Sequence, residues 1–197
     1  MKRSFFFMGA VTALLATGFV SEDMALTLLT QEQALKEMFP DADKITPEVK
    51  QLSPDEITKC KSSLGGSLVH FQKGSNSSAV AEKLEYTFYF ASKGDQKLGV
   101  AIIEEQPGKW GPVEFILALD PATAKIKNLA VMSYQEKRGR PIARRNFLDQ
   151  FVGKGSSDKL AVQKDIRAIG GATISSECTC FTVRKVVVLY EMLYLKK

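Results

Sequence analysis

The strongest constraint on the fold is a run of β-forming segments between residues 84 and 134, broken at short intervals by turn residues. Tyr86-Thr87-Phe88-Tyr89-Phe90 consists wholly of aromatic and β-branched residues, which suit a pleated, half-buried surface better than a helix. Lys93-Gly94-Asp95 supplies a tight turn, and residues 98–103 are predicted to pair back as a hairpin. Gln106-Pro107-Gly108-Lys109-Trp110-Gly111-Pro112 is a loop with breakers at both ends. Strands over 113–119 and 126–134 follow, separated by Asp120-Pro121. Connections this short join only antiparallel neighbours. The middle of the chain is therefore expected to be a four-stranded antiparallel meander.

Helical signals flank it. Thr30-Gln31-Glu32-Gln33 begins a short helix that ends at Phe39-Pro40, with Ala34, Leu35 and Met38 at helical spacing. Ser53-Pro54-Asp55-Glu56 has capping-box spacing and proline in the first turn. Its helix is predicted to reach about Ser63 and stop at Gly65-Gly66. Residues 67–72 read as a strand that carries a structural His70, and Gly74-Ser75-Asn76-Ser77-Ser78 as a flexible loop. Pro141 opens a helix with Phe147, Leu148 and Phe151 on one face, ended by Gly153-Lys154-Gly155. A long last helix starts after Gly170-Gly171-Ala172-Thr173. Val183, Val186, Val187, Tyr190 and Tyr194 form its core stripe, with Arg184 and Lys185 assigned to the solvent side or the rim. The fold class is α+β: an antiparallel β-meander packed with helices, with a long C-terminal helix.

Of the 197 residues, 45% are apolar and 25% charged, which supports a sizeable core. A single histidine argues against multi-histidine metal sites. Cys178 and Cys180 stand two apart on a helix and face different ways, so they read as buried small hydrophobes rather than a disulfide. The net charge of +5 comes with no recognised nucleic-acid motif, so no nucleic-acid partner is expected. Met1-Lys2-Arg3 precedes an apolar stretch, residues 4–21, that carries no charge. This is the pattern of an export signal, with Ala16-Thr17-Gly18 as a small-residue cleavage site. Residues 1–25 are thus assigned to a signal peptide or membrane anchor, 26–83 to an N-terminal helical segment, strand and loop, and 84–197 to the main domain. The expected location is periplasmic or otherwise extracytoplasmic, soluble after cleavage or anchored by residues 4–21.

Residues 165–176, Asp165-Ile166-Arg167-Ala168-Ile169-Gly170-Gly171-Ala172-Thr173-Ile174-Ser175-Ser176, carry the most chemistry. Two glycines let a ligand approach the backbone closely. Thr173 is expected at the N-cap of the long helix, where free N–H groups and the positive end of the dipole suit a phosphate. Ser175 and Ser176 add hydroxyls in the first turn. This stretch resembles the flavinylation motif of the FMN-binding domain family, whose members include the covalent-FMN subunits of sodium-pumping NADH:quinone reductases and Rnf-type electron-transfer complexes. The resemblance extends to Gly108-Lys109-Trp110-Gly111-Pro112, to Tyr134-Gln135-Glu136 and to Phe147-Leu148-Asp149-Gln150-Phe151-Val152-Gly153-Lys154. Arg167 stands where the family usually has Asp, and Gly170 where it usually has Ser or Thr.

The resemblance implies FMN as cofactor, esterified through its phosphate to Thr173 by a flavin transferase. It implies a site built from Gly171, Ala172, Thr173, Ile174, Ser175 and Ser176, with Lys154 near the phosphate or reduced ring, Glu136 on the ring or ribityl chain, and Trp110 shielding the isoalloxazine. The structural alternatives are a solvated lysine, an exposed loop carboxylate and a core-capping tryptophan. A membrane or periplasmic redox partner protein would exchange electrons with the flavin. The alternative function is a non-flavin binding or scaffolding module on the same fold. The export reading predicts that an alkaline-phosphatase fusion after Lys197 is active and that a reporter fluorescent only in the cytoplasm stays dark there. The opposite pair of results removes the extracytoplasmic reading.

Overall fold

The computed structural model describes residues 25–75 and 80–196; the proposed export segment and most of the 74–78 loop lie outside them. Six strands form one sheet in the order β1-β6-β5-β4-β3-β2, every neighbouring pair antiparallel. The meander expected from the sequence is β3 (Glu85–Lys93), β4 (Gln96–Pro107), β5 (Pro112–Leu119) and β6 (Ile126–Tyr134). The segment before residue 84 adds both outer strands, β1 (Leu26–Thr27) beside β6 and β2 (Lys44–Gln51) beside β3. β2 has a weak apolar alternation and contains Pro47. Proline is tolerated on an edge strand because no neighbour needs its missing N–H.

Both faces of the sheet are covered, so the middle of β4 and most of β5 are apolar. Alternate residues point to opposite faces. Val100, Ile102, Phe115, Leu117, Leu129 and Val131 belong to the larger core, with α2 (Pro54–Leu64) and α4 (Thr173–Tyr190). Ala91, Ala101, Ile116, Ala118, Ala130 and Met132 form the other face, against α1 (Gln31–Met38). The small side chains there let a short helix lie close. At Gly99 a Cβ would come within 2.6 Å of the Phe39 ring. Both early helices start with reciprocal capping boxes, Thr30 with Gln33 and Ser53 with Glu56. Gly65, at φ +87°, ends α2.

Three sequence expectations are corrected. Residues 67–72 are not a strand. The His70 N–H donates to Gln106 Oε1 at 2.9 Å and Gln106 Nε2 donates to the Leu68 carbonyl at 3.1 Å, so a buried side chain replaces a neighbouring strand. Residues 140–151 are not one helix. They form a 3-10 turn (Arg140–Ala143), one α-turn, α3 (Arg145–Leu148), and a second 3-10 turn (Asp149–Phe151), because Arg144 is extended at ψ 142°. Phe147, Leu148 and Phe151 are buried nonetheless.

The third correction concerns Lys185, which is neither on the solvent side nor at the rim. α4 is packed against β4, β5 and α2 and is buried over most of its circumference, not along one stripe. Lys185 Nζ lies 2.6 Å from Glu104 Oε1 on β4, both side chains 1% exposed. Gln106 Nε2 donates to the same carboxylate oxygen at 2.8 Å.

The cysteines behave as buried hydrophobes. Cys60, Cys178 and Cys180 are all free thiols. Burial pushes the Cys60 thiol up to about 11 and that of Cys180 to about 12, so they stay protonated at neutral pH. Removing one member of a buried ion pair strands the other charge, at a cost of about 3–5 kcal/mol. Lys185→Met is therefore expected to lower stability by that order in urea denaturation. Adding Glu104→Gln is expected to recover most of the loss. A single variant as stable as the parent chain would show that the pair is solvated.

Candidate functional site

The first turn of α4 is tied down from below. Gly171 has φ +73°, a conformation glycine adopts freely. The Ala172 N–H donates to the Ile169 carbonyl at 3.0 Å. Ser176 Oγ accepts from the Ile169 N–H at 3.1 Å and donates to the Ala172 carbonyl at 3.0 Å, so this hydroxyl is spent on the turn. Ser175 Oγ donates to Glu136 Oε2 at 2.5 Å. Ser175 and Ser176 thus hold the helix start in place rather than face outward.

Glu136 is not an exposed loop carboxylate. It is 2% exposed. Its Oε1 accepts from the Lys109 N–H at 2.6 Å and the Trp110 N–H at 3.3 Å. One carboxylate therefore joins the β4–β5 loop, the segment after β6 and the first turn of α4. The glycines around it are demanded by that packing. A Cβ on Gly108 would lie 2.3 Å from Glu136 Oε1, and one on Gly139 would lie 2.2 Å from Ser175 Oγ. Sequence reading found Glu136 as a candidate but not this role, because its partners lie 26 to 39 residues away.

Thr173 is exposed, with Ile174 half-buried beside it. It is the first helical residue, not the N-cap. Ala172 occupies the cap position, at φ −134° and ψ 41°, and no side chain caps the helix. Among the described residues, no acceptor meets the N–H groups of Thr173, Ile174 or Ser175. Cβ atoms placed on Gly170 or Gly171 would meet nothing within 4 Å. Among the described residues, the result is an uncapped N-terminus on an 18-residue helix with an exposed hydroxyl at its tip. The unsatisfied donors and the helix dipole attract an anion there.

Trp110 is half-buried in the Glu136-held loop, its ring 4.7 Å from Lys137 Nζ and 5.6 Å from Lys109 Nζ. Its Nε1 is shielded and has no partner among the described residues. Lys154 is committed elsewhere, lying 3.4 Å from Asp165 and 3.8 Å from Asp158. Burial tends to raise the Asp165 carboxyl. Hydrogen bonds from the Ala161 and Leu160 N–H groups and from Lys154 outweigh it, and the carboxyl sits below its ordinary value. The structure therefore joins Glu136, the Trp110 backbone and Ser175, two residues along α4 from Thr173, and gives Lys154 carboxylate partners instead of a free charge.

Residues 108–188 match the family model described as FMN-binding domain. This stretch runs from the β4–β5 loop through most of α4 and contains every element of the site. Over this part the chain is similar to FMN-binding domains, and the match supports FMN as its cofactor. The crystal structure of Shewanella oneidensis NqrC is similar to the chain, with a TM-score of 0.50 at 12% identity over 81% of this chain and 85% of that one. That likeness is one of fold. No curated protein sequence matches the chain. The residues present fit the cofactor: uncapped backbone donors meet a phosphate, and the shielded Trp110 Nε1–H is a spare donor.

Forcing a methyl group into a packed site costs about 1–3 kcal/mol. Gly139→Ala is expected to lose stability of that order and to shift Trp110 fluorescence, since it pushes on the contact between Glu136 and Ser175. Gly170→Ala, which meets open space, is expected to change neither. Equal effects from the two variants would show that Glu136 does not hold the loop.

Proposed function

We propose that the chain is an exported flavoprotein that carries electrons between redox partners, with FMN joined to Thr173 through a phosphoester. The observation that carries this reading is the exposed Thr173 hydroxyl at the uncapped start of α4, inside the stretch that matches the FMN-binding domain. FMN supplies the electron-accepting and electron-donating chemistry; the protein supplies placement and charge.

Thr173 Oγ1 would attack the flavin-side phosphorus of an activated flavin nucleotide held by a flavin transferase; the phosphoester forms as the donor's phosphoanhydride bond breaks, the other phosphate leaves and the hydroxyl proton passes to the transferase. The N–H groups of Thr173, Ile174 and Ser175 would hold the phosphate oxygens. Gly171 and Ala172 present them without a side chain in the way. Ser175, Ser176 and Glu136 keep these donors aimed, and Trp110 shields one side of the ring. Lys154 acts at longer range, since its ammonium already faces Asp165 and Asp158. Donor and acceptor are membrane or periplasmic redox proteins, and the chain works as a component of electron transfer rather than as a stand-alone enzyme.

The test is the mass of denatured protein made in a host with a working flavin transferase. The parent chain is expected to carry a flavin adduct and to stay yellow after precipitation. Thr173→Ala is expected to lose the adduct completely with stability changed by less than about 0.5 kcal/mol, as for an exposed site. An adduct that survives Thr173→Ala places the link elsewhere and sinks this reading.

A further inference from the structure

Beside the α4 N-terminus, between residues 141–150 and 163–169, lies an open groove of about 1040 Å³. Its floor includes Phe147, Ile166 and Ile169, and Asn146 and Gln163 present amide groups. Its cations are Arg144, Lys164 and Arg167, all exposed. The one carboxylate on its wall, Asp165, is engaged by Lys154 and by the Leu160 and Ala161 N–H groups.

The walls are fixed. Gln150 Oε1 accepts from the Arg167 N–H at 2.8 Å and Gln150 Nε2 donates to the Arg167 carbonyl at 3.2 Å, which pins the Arg167 backbone across the groove while its side chain stays outside. The opposite rim continues into Arg138 and Arg140 on the Glu136 segment. Among the described residues, Arg138, Arg140, Arg144, Lys164 and Arg167 make no ion pair. All five are exposed, and their charge is not offset by a paired carboxylate among the described residues.

We infer that this groove docks an acidic segment of a partner protein. Uncompensated like charges repel one another and raise the encounter rate of an oppositely charged surface. Amide groups between the cations match peptide and carboxylate hydrogen bonding, as in a polar docking cleft. A membrane surface is the poorer match. The cations flank a concave groove rather than a flat face, which suits an extended segment better than a lipid surface, and the exposed large apolar residues described, Leu26, Leu28, Val49, Phe71, Val152 and Leu195, do not line it to add insertion. The inference rests on the proposed function only in taking the docked partner as the one that exchanges electrons. The groove lies next to Thr173 through Ile169 and Ala172, so a segment held in it brings its protein to the flavin.

The experiment uses the full chain and a fluorescein-labelled oligoglutamate peptide, with binding read by anisotropy. Arg167→Glu is expected to weaken binding about tenfold, as for reversal of a docking charge. Arg144→Glu and Lys164→Glu are expected to act in the same direction. Binding should weaken as salt shortens the Debye length below about 8 Å. Lys93→Glu, in the β3–β4 hairpin, is expected to leave affinity unchanged. A loss from Lys93→Glu equal to that from Arg167→Glu overturns the groove. So does tighter binding to phosphatidylglycerol vesicles than to the peptide, with the same dependence on Arg144, Lys164 and Arg167. Flavin loading is read separately by absorbance. Loaded protein that ignores the peptide overturns the docking groove alone, and unloaded protein that binds it normally overturns the flavin reading alone.

Discussion

The placement of α4 depends on the buried ion pair between Lys185 and Glu104. Two charges taken from water need close pairing and further hydrogen bonds to be tolerated. Glu104 Oε1 has both, from Lys185 Nζ and from Gln106 Nε2, and Gln106 reaches on to the backbone of Leu68 and His70. Apolar contact is non-directional. A helix that is apolar on most sides can rotate or slide against a sheet at little cost in buried area. The ammonium group removes that freedom, because only one rotation and one height bring it to the carboxylate. Thr173 lies about three turns away along the same rigid helix, so the pair that fixes the middle of α4 also fixes its tip.

Glu136 does the corresponding work at that tip. It takes hydrogen bonds from the backbone of Lys109 and Trp110 and from the Ser175 hydroxyl. A carboxylate with this many donors holds three chain segments in register without filling the space above them. Glycine at 108 and 139 keeps that space compact beneath the helix start. The donors left over, at Thr173, Ile174 and Ser175, then face outward as a group. The uncapped N-terminus is a consequence of satisfied polar groups below it, not of a loosely packed turn.

How much of this was legible in the sequence depended on range. The strands of the meander, the start of α1 and the Ser53–Glu56 capping box declare themselves within a few residues, and the structure has each of them. β2 did not, because a proline-containing, charged strand is stable only as an edge to β3. Residues 67–72 look extended and apolar, but Gln106, more than 30 residues on, takes their hydrogen bonds. Helical periodicity sends a lysine beside an arginine to the solvent, so Lys185 was placed wrongly. Its partner stands 81 residues earlier on a strand. The flavin motif was legible through the order of several weak segments. The hub role of Glu136 was not, since burial is a property of the whole fold.

The two hubs also explain where the charge of this protein sits. Glu104 and Glu136 are both drawn inside, one paired with a lysine and the other hydrogen-bonded by uncharged donors. Glu136 belongs to the same short segment as Lys137, Arg138 and Arg140, so burying its carboxylate leaves its basic neighbours exposed. Arg167 adds a further positive charge at the turn that leads into α4. Dipole, unsatisfied N–H groups and surface cations then act with one sign around Thr173. An interior built to hold a helix start thereby creates an anion-attracting exterior. The phosphate of a flavin and the carboxylates of a docking protein answer to the same local field, and the uncapped tip of α4 separates them by shape: the phosphate needs backbone donors at close range, and the acidic segment needs only the groove beside them.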